Sequence, residues 1–252
     1  MTYVKFIKSG NNLEIYEYEH VSSNKGRPKG YKVKFTQRDI SDSGGVAFQQ
    51  AKQKRRTDNA RRASMAFKRL VLSNLGSDTS PLLLTFTYKE NETDVRHSSR
   101  AFKLFVGRMR KFFGKDFRYV GVPEFQKRGA IHYHALFWGL PSSVFQQERK
   151  LRTVAKLWQK GFVDIVQTDG HAKIASYLAK YMVKAICDPR LASQKAYFAS
   201  RNMLRPVQGG GIPLWFLEDE YELGKAQLLH ISDFVGQWTG KGRYRLFNLD
   251  NI

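Results

Sequence analysis

Two histidines separated by one residue, His132-Tyr133-His134, are the first feature of this chain that could do chemistry. Residues two apart on a β-strand project to the same face, so both imidazoles aim at one point, as two metal ligands must. Histidine pairs in strands also serve as surface residues or as satisfied core residues. Glu124 lies on the other arm of an expected hairpin, close enough across it to add an oxygen ligand, although a carboxylate near a turn can simply face solvent. Two imidazoles and one carboxylate leave positions open for water or a phosphate oxygen, which a catalytic site requires.

The second feature is Tyr177-Leu178-Ala179-Lys180-Tyr181-Met182-Val183-Lys184. On a helix, tyrosines at i and i+4 stand above one another, and Lys184 falls one turn further along the same stripe. Ala175, Leu178, Met182 and Ala185 form an apolar stripe offset from them, so the two phenols border the core instead of filling its centre. Ring packing alone would account for such a pair. The chemical reading starts from the poor nucleophilicity of a phenol, whose pKa lies near 10. A divalent cation beside it would polarise a scissile phosphate and stabilise charge on the leaving oxygen. Tyrosine attack would leave a phosphotyrosine that conserves the bond energy, and a second tyrosine one turn away could accept the strand in turn. Lysine nearby would steady the phosphate or assist proton transfer. Such an arrangement suits a strand that must be cut, held and rejoined.

These residues need a scaffold. Leu82 to Tyr88 is a compact run of strand formers, suited to the middle of a sheet. A helix is expected over about 98–113, with Phe102, Phe105, Val106, Met109 and Phe112 on one face and Gly114 as its stop. Residues 117–124 and 130–138 read as strands joined by the tight turn Gln126-Lys127-Arg128-Gly129. A helix over 143–160, opened by a capping box of Ser143 and Gln146, a strand over 162–167 and a helix over 171–186 complete the order. Strands paired by hairpins and interleaved with helices predict an α+β fold, an antiparallel sheet with helices on it. Ahead of this region come short strands in 1–37, with Tyr31 to Phe35 as a half-exposed one, and a long helix from about Val46 to Leu75. Behind it, Gly209-Gly210-Gly211 reads as a flexible junction before an aromatic-rich appendage. The expected organisation is therefore 1–78, 79–205 and 206–252.

Composition narrows the partners. The 252 residues carry 43 Lys+Arg against 22 Asp+Glu, a formal charge of +21, which should attract a polyanion, most simply nucleic acid. The long helix presents Arg55, Arg56, Arg61 and Arg62, and the hairpin turn presents Lys127 and Arg128, as candidate DNA-binding residues. A merely solvated basic helix would look the same. No apolar run is long enough for a membrane span, and the first residues lack the apolar core of a signal peptide. Cys187 is the only cysteine, which excludes an internal disulfide and a cysteine-based zinc module. A soluble protein without a membrane partner, in the cytoplasm of a bacterial host, is the expectation.

Leu82 to Tyr88, then Gly129 to Phe137 around His132-Tyr133-His134, then Tyr177 to Lys184 resemble the three ordered motifs of HUH-class rolling-circle replication initiators. The resemblance covers about residues 80–205, including Ala196-Tyr197-Phe198-Ala199-Ser200-Arg201, and looks most like two-tyrosine Rep proteins of bacterial plasmids and single-stranded DNA phages. It implies a central five-stranded antiparallel sheet flanked by helices, HUH endonuclease/RRM-like, with metal and tyrosine meeting on one face. His132, His134 and Glu124 correspond to ligands of a divalent ion (Mg²⁺ or Mn²⁺), Tyr177 and Tyr181 to the nucleophiles, and Lys180 and Lys184 to the lysines of that helix. Cleavage of single-stranded DNA at an origin hairpin, a 5′-phosphotyrosine and a free 3′-hydroxyl that primes synthesis are implied with it.

Motif order excludes some relatives. In conjugative relaxases the tyrosine precedes the histidine pair, whereas here it follows. Two-tyrosine HUH transposases share the present order but usually carry a cysteine-rich zinc module, which one cysteine cannot supply. No G-x-x-x-x-G-K-[ST] run occurs, so a host helicase and a DNA polymerase are the implied partners. His20, His97, His171 and His230 show no ligand spacing, although His171 opens the tyrosine helix. A non-catalytic module that binds single strands by stacking on aromatics is the rival of a different class.

Overall fold

A computed structural model describes residues 2–20, 44–76, 80–141, 148–169, 172–191, 194–236 and 239–250. The strand expected at Tyr31 to Phe35, the capping box at Ser143 and Gln146, and His171 lie outside them. The described residues form two units, 1–59 with 205–252 and 60–204, each built on a five-stranded antiparallel sheet. The α+β class is as expected, and the second sheet is an addition to it.

The first unit pairs the two ends of the chain. Strands β1 (Tyr3–Ser9) and β2 (Asn12–Tyr18) make a hairpin. The sheet is completed by β8 (Val207–Gly210), β9 (Gln227–Gly236) and β10 (Gly240–Asn248), in the order β8-β1-β2-β10-β9. Val4, Phe6, Leu13, Ile15 and Phe247 pack against Leu217 of helix α5 (Leu214–Glu220) and against Leu223. The expected flexible junction at Gly209-Gly210 is instead strand, paired to Phe6 and Lys5. Aromatic side chains of β1 explain the glycines: a Cβ on Gly209 would meet the Phe6 ring at 2.6 Å, and one on Gly210 the Tyr3 hydroxyl at 2.4 Å.

In the second unit the sheet order is β6-β3-β5-β4-β7, from β3 (Leu82–Tyr88), β4 (Arg118–Phe125), β5 (Ile131–Trp138), β6 (Gly161–Gln167) and β7 (Phe198–Ala199). One face is covered by helices α2 (Val95–Phe113) and α3 (Glu148–Trp158), which bury Phe102, Phe105, Met109 and Trp158 against Leu84, Phe86, Tyr133 and Phe137. Asp94 caps α2 by accepting from the backbone N–H of Arg96 (2.7 Å) and His97 (3.1 Å), so the helix starts three residues before the expected Ser98. Phe112, expected on the buried face, is exposed and packs on Phe113 near the helix end.

The other face is covered by helix α4 (Lys173–Cys187) and by Phe67, Leu70 and Val71 from the last turns of helix α1 (Gly44–Leu72). Beyond that helix, the buried Asn74 carboxamide bonds to the carbonyls of Leu70 (2.8 Å) and Leu204 (3.0 Å) and accepts from Arg118 (2.9 Å). It thereby ties the helix end to both ends of the second unit. No helix of the described residues is long and apolar enough to cross a membrane.

Gly161, where β6 starts beside β3, has φ +152°, and a Cβ there would lie 2.3 Å from the Thr87 carbonyl oxygen and 2.5 Å from the Lys89 nitrogen. Both are backbone atoms with no room to yield. Gly161→Ala should therefore cost about 2–3 kcal/mol in a urea unfolding titration. A midpoint within error of the parent would show that this edge adjusts freely.

Candidate active site

Alternation along β5 builds one wall of the site. All eight residues of this strand are buried. Ile131, Tyr133, Ala135 and Phe137 belong to the core under α2 and α3, whereas Leu136 and Trp138 belong to the core under α4. His132 and His134 therefore share the α4 face. Tyr133 anchors the strand from behind, with its hydroxyl 2.6 Å from Ser98 Oγ and its pKa pushed up to about 12, chiefly by burial.

Register brings the carboxylate to the histidines. Glu124 on β4 is the direct partner of His132, and Val122 the partner of His134. The connecting turn closes by the Gln126 N–H donating to the Ala130 carbonyl (2.8 Å), with Gly129 at φ +90°. Glu124 Oε2 then lies 3.0 Å from His134 Nε2, and its Oε1 accepts from Lys184 Nζ at 2.9 Å. On the far side, Thr85 of β3 is paired with His134 and sets its Oγ1 3.3 Å from Nδ1. The His134 ring is thus held at both nitrogens, an arrangement that fixes orientation and tautomer. The sequence assigned Thr85 no such part, since only strand pairing reveals it.

Helix α4 supplies the phenols. Ala175, Leu178, Ala179, Met182 and Ala185 are buried against β4 and β5, which turns the tyrosine stripe toward the histidines. The Tyr181 ring stacks on His134, with centroids 4.0 Å apart and planes at 23°. The hydroxyls of Tyr177 and Tyr181 are hydrogen-bonded at 2.9 Å, and Lys184 Nζ lies 5.1 Å from the Tyr181 ring centre. Tyr177 is 40% exposed, Tyr181 half-buried, and Lys180 exposed.

Electrostatics suit ligand imidazoles. Burial, then the neighbouring His134 and Arg128, push the His132 pKa down to about 4; burial also lowers that of His134, against the opposing bond to Glu124. Both are therefore neutral near pH 7, and His132 Nε2 is buried without a hydrogen-bond partner. In donor chemistry the trio fits a divalent cation. As they stand, no three His, Cys, Asp or Glu side chains among the described residues converge to hold one, because Glu124 is engaged by His134 and Lys184. The exposed Lys184–Glu124 pair contributes at most about 1 kcal/mol, so its role is to place charge.

Of the candidate DNA-binding residues, Arg55, Arg61 and Arg62 are exposed along α1, and the Arg56 side chain lies outside the described residues. Lys127 and Arg128 line a cleft that opens from Glu124 and Lys184. Arg128 is fixed by donating to Gln126 Oε1 (3.0 Å) and to the Tyr88 carbonyl (3.1 Å).

The Tyr181 phenol is raised well above its ordinary pKa, first by burial and then by the hydrogen bond and proximity of Tyr177. Removing the second hydroxyl takes away two causes that act upward. Tyr177→Phe should therefore lower the Tyr181 pKa, read from its Cζ resonance in an NMR titration. An unchanged pKa would mean that the two hydroxyls do not interact in solution.

Residues 81–186, from the threshold of β3 to within a residue of the end of α4, match the family model of replication-associated protein ORF2. No curated protein and no solved structure matches the chain. The matched segment is less than half of the chain and contains every residue of the histidine–tyrosine cluster, so the match supports a role in initiating replication.

Proposed function

We propose that this chain starts rolling-circle replication by nicking single-stranded DNA through tyrosine transesterification, and that it is of the two-tyrosine HUH type. The observation that carries the reading is the meeting of Tyr177 and Tyr181 with His132, His134, Glu124 and Lys184 on one face of one sheet.

A phenolic oxygen attacks the scissile phosphorus, a bond from phosphorus to tyrosine forms, and the bond from phosphorus to the 3′-oxygen breaks. The products are a 5′-phosphotyrosine and a 3′-hydroxyl that has taken up a proton, able to prime synthesis. Reversal with a second 3′-hydroxyl rejoins the strand. Stacking on His134 restricts the Tyr181 ring, which lowers the entropy lost on reaching the phosphate. The bond between the phenols offers a path for the proton of the attacking hydroxyl. Lys184 sets a positive charge where the phosphate must come.

His132, His134 and Glu124 would hold Mg²⁺ or Mn²⁺. Such an ion would supply Lewis-acid stabilisation of charge on the phosphate and leaving oxygen. Unwinding and synthesis would fall to a helicase and a polymerase of the host, with the origin hairpin as the DNA partner.

The test is a covalent adduct between the full chain and single-stranded DNA of its own replicon, in Mn²⁺, seen as a denaturation-resistant gel shift. The adduct should vanish in the Tyr177→Phe/Tyr181→Phe double variant and fall about 100-fold in His132→Ala. Persistence in the double variant would exclude tyrosine chemistry. Tight, salt-sensitive binding with no adduct on any strand would favour the stacking module instead. An adduct yield indifferent to excess chelator would remove the metal from the mechanism.

A further inference from the structure

A cleft of about 850 Å³ opens from the site, and Glu124 and Lys184 form part of its wall. That volume is within the range of clefts that enclose small organic ligands. Phe125, Lys127, Arg128 and Arg190 line the rest.

Arg190 is the feature that a surface ion pair does not explain. Its guanidinium lies over the Phe125 ring, 3.7 Å from Cζ to the ring centre. Asp188 grips its edge twice, accepting from Nε at 2.9 Å and from Nη2 at 2.6 Å, and also accepts from the Arg190 backbone N–H at 2.9 Å. Asp188 is itself placed by closing α4, its N–H donating to the Lys184 carbonyl at 2.9 Å. The guanidinium plane is therefore fixed by a ring below and a carboxylate at its rim, while about half of the side chain stays exposed. An isolated exposed pair would contribute little to stability, and a long side chain gains nothing by being held flat at the surface. A planar cation presented in this way is a platform for another flat group.

Accepting that the substrate is a single strand, we propose that this cleft is a nucleotide subsite: a base flanking the scissile phosphate stacks on Arg190, and Lys127 and Arg128 take the adjoining phosphate. Only an unpaired base can offer its face in this way, so the subsite selects single-stranded over duplex DNA. Every base has such a face, so the subsite adds affinity and register without reading sequence. Because Lys184 and Glu124 belong to both places, a base seated on Arg190 carries its phosphate toward Tyr181.

The test has two arms. In the first, a fluorescein-labelled fifteen-residue oligothymidylate binds the full chain carrying Tyr177→Phe and Tyr181→Phe, so cleavage plays no part and the arm stands even if no adduct ever forms. Arg190→Ala should weaken binding about tenfold. Arg190→Lys, which keeps the charge and loses the plane, should weaken it as much. Full recovery with lysine, or no loss with alanine, would overturn the subsite; circular dichroism melts of each variant identify any misfolded one, and Phe125→Leu then replaces it as the test of the platform. In the second arm, the strand that yields the adduct carries one abasic residue at each position around the cleaved bond. One flanking position should cost the Arg190 protein about tenfold in affinity and the Arg190→Ala protein nothing. Equal penalties in both proteins at every position would overturn it.

Discussion

The site depends on the two-residue period of one strand that is buried on both sides. β5 has no solvent-facing position, so each alternate side chain must satisfy a different core. Ile131, Tyr133, Ala135 and Phe137 lock the strand against α2 and α3, and the opposite phase delivers His132 and His134 beneath α4. A slip of one residue would bury the imidazoles among aromatic rings and turn Tyr133 to the reactive face. Such a slip would break the Tyr133–Ser98 bond and strand both hydroxyls in an apolar layer, at a cost of roughly 1–3 kcal/mol for each unsatisfied group. The packing behind the site thus guards its register.

The other members of the site inherit their places from β5. Pairing with β4 sets Glu124 opposite His132, and pairing with β3 sets Thr85 opposite His134. The small residues Ala175, Ala179 and Ala185 on α4 fit it against β4 and β5, close enough for the Tyr181 ring to reach His134. Three elements distant in sequence therefore meet through contacts that are mostly apolar. Polar bonds then set angles within a frame already built, which is why an exposed ion pair of small energetic worth still fixes where a lysine points.

Local pattern made the centre of this arrangement legible. The alternation around His132-Tyr133-His134, the Gly129 turn that pairs it with Glu124, and the i, i+4 tyrosines on an amphipathic helix each depend on neighbours within a few residues. The sheet of the first unit was not legible, because β1 and β2 pair with strands from the far end of the chain and no local signal records such pairing. Gly209 and Gly210 read as a hinge for the same reason: their need for glycine comes from Phe6 and Tyr3, far away in the chain. Arg190 escaped notice because its environment is made by a helix end, a short 3₁₀ turn (Pro189–Leu191) and the end of a distant strand.

One carboxylate faces competing demands. Glu124 is bonded to His134 through one oxygen and to Lys184 through the other, and both partners matter to the proposed chemistry. A cation taken up by the histidines would need the His134 nitrogen that now meets Glu124, with the ring proton moved to the Thr85 side. Thr85 can accept that proton, since a hydroxyl serves as donor or acceptor without moving. Released from His134, Glu124 could add its oxygen to the ion, and Lys184 would lose part of its anchor beside Tyr181. The lysine would then be freed toward an incoming phosphate at the moment the metal arrives. On this argument metal uptake and phosphate capture are coupled through a single side chain, and the modest strength of the Glu124–Lys184 pair is what lets the exchange proceed.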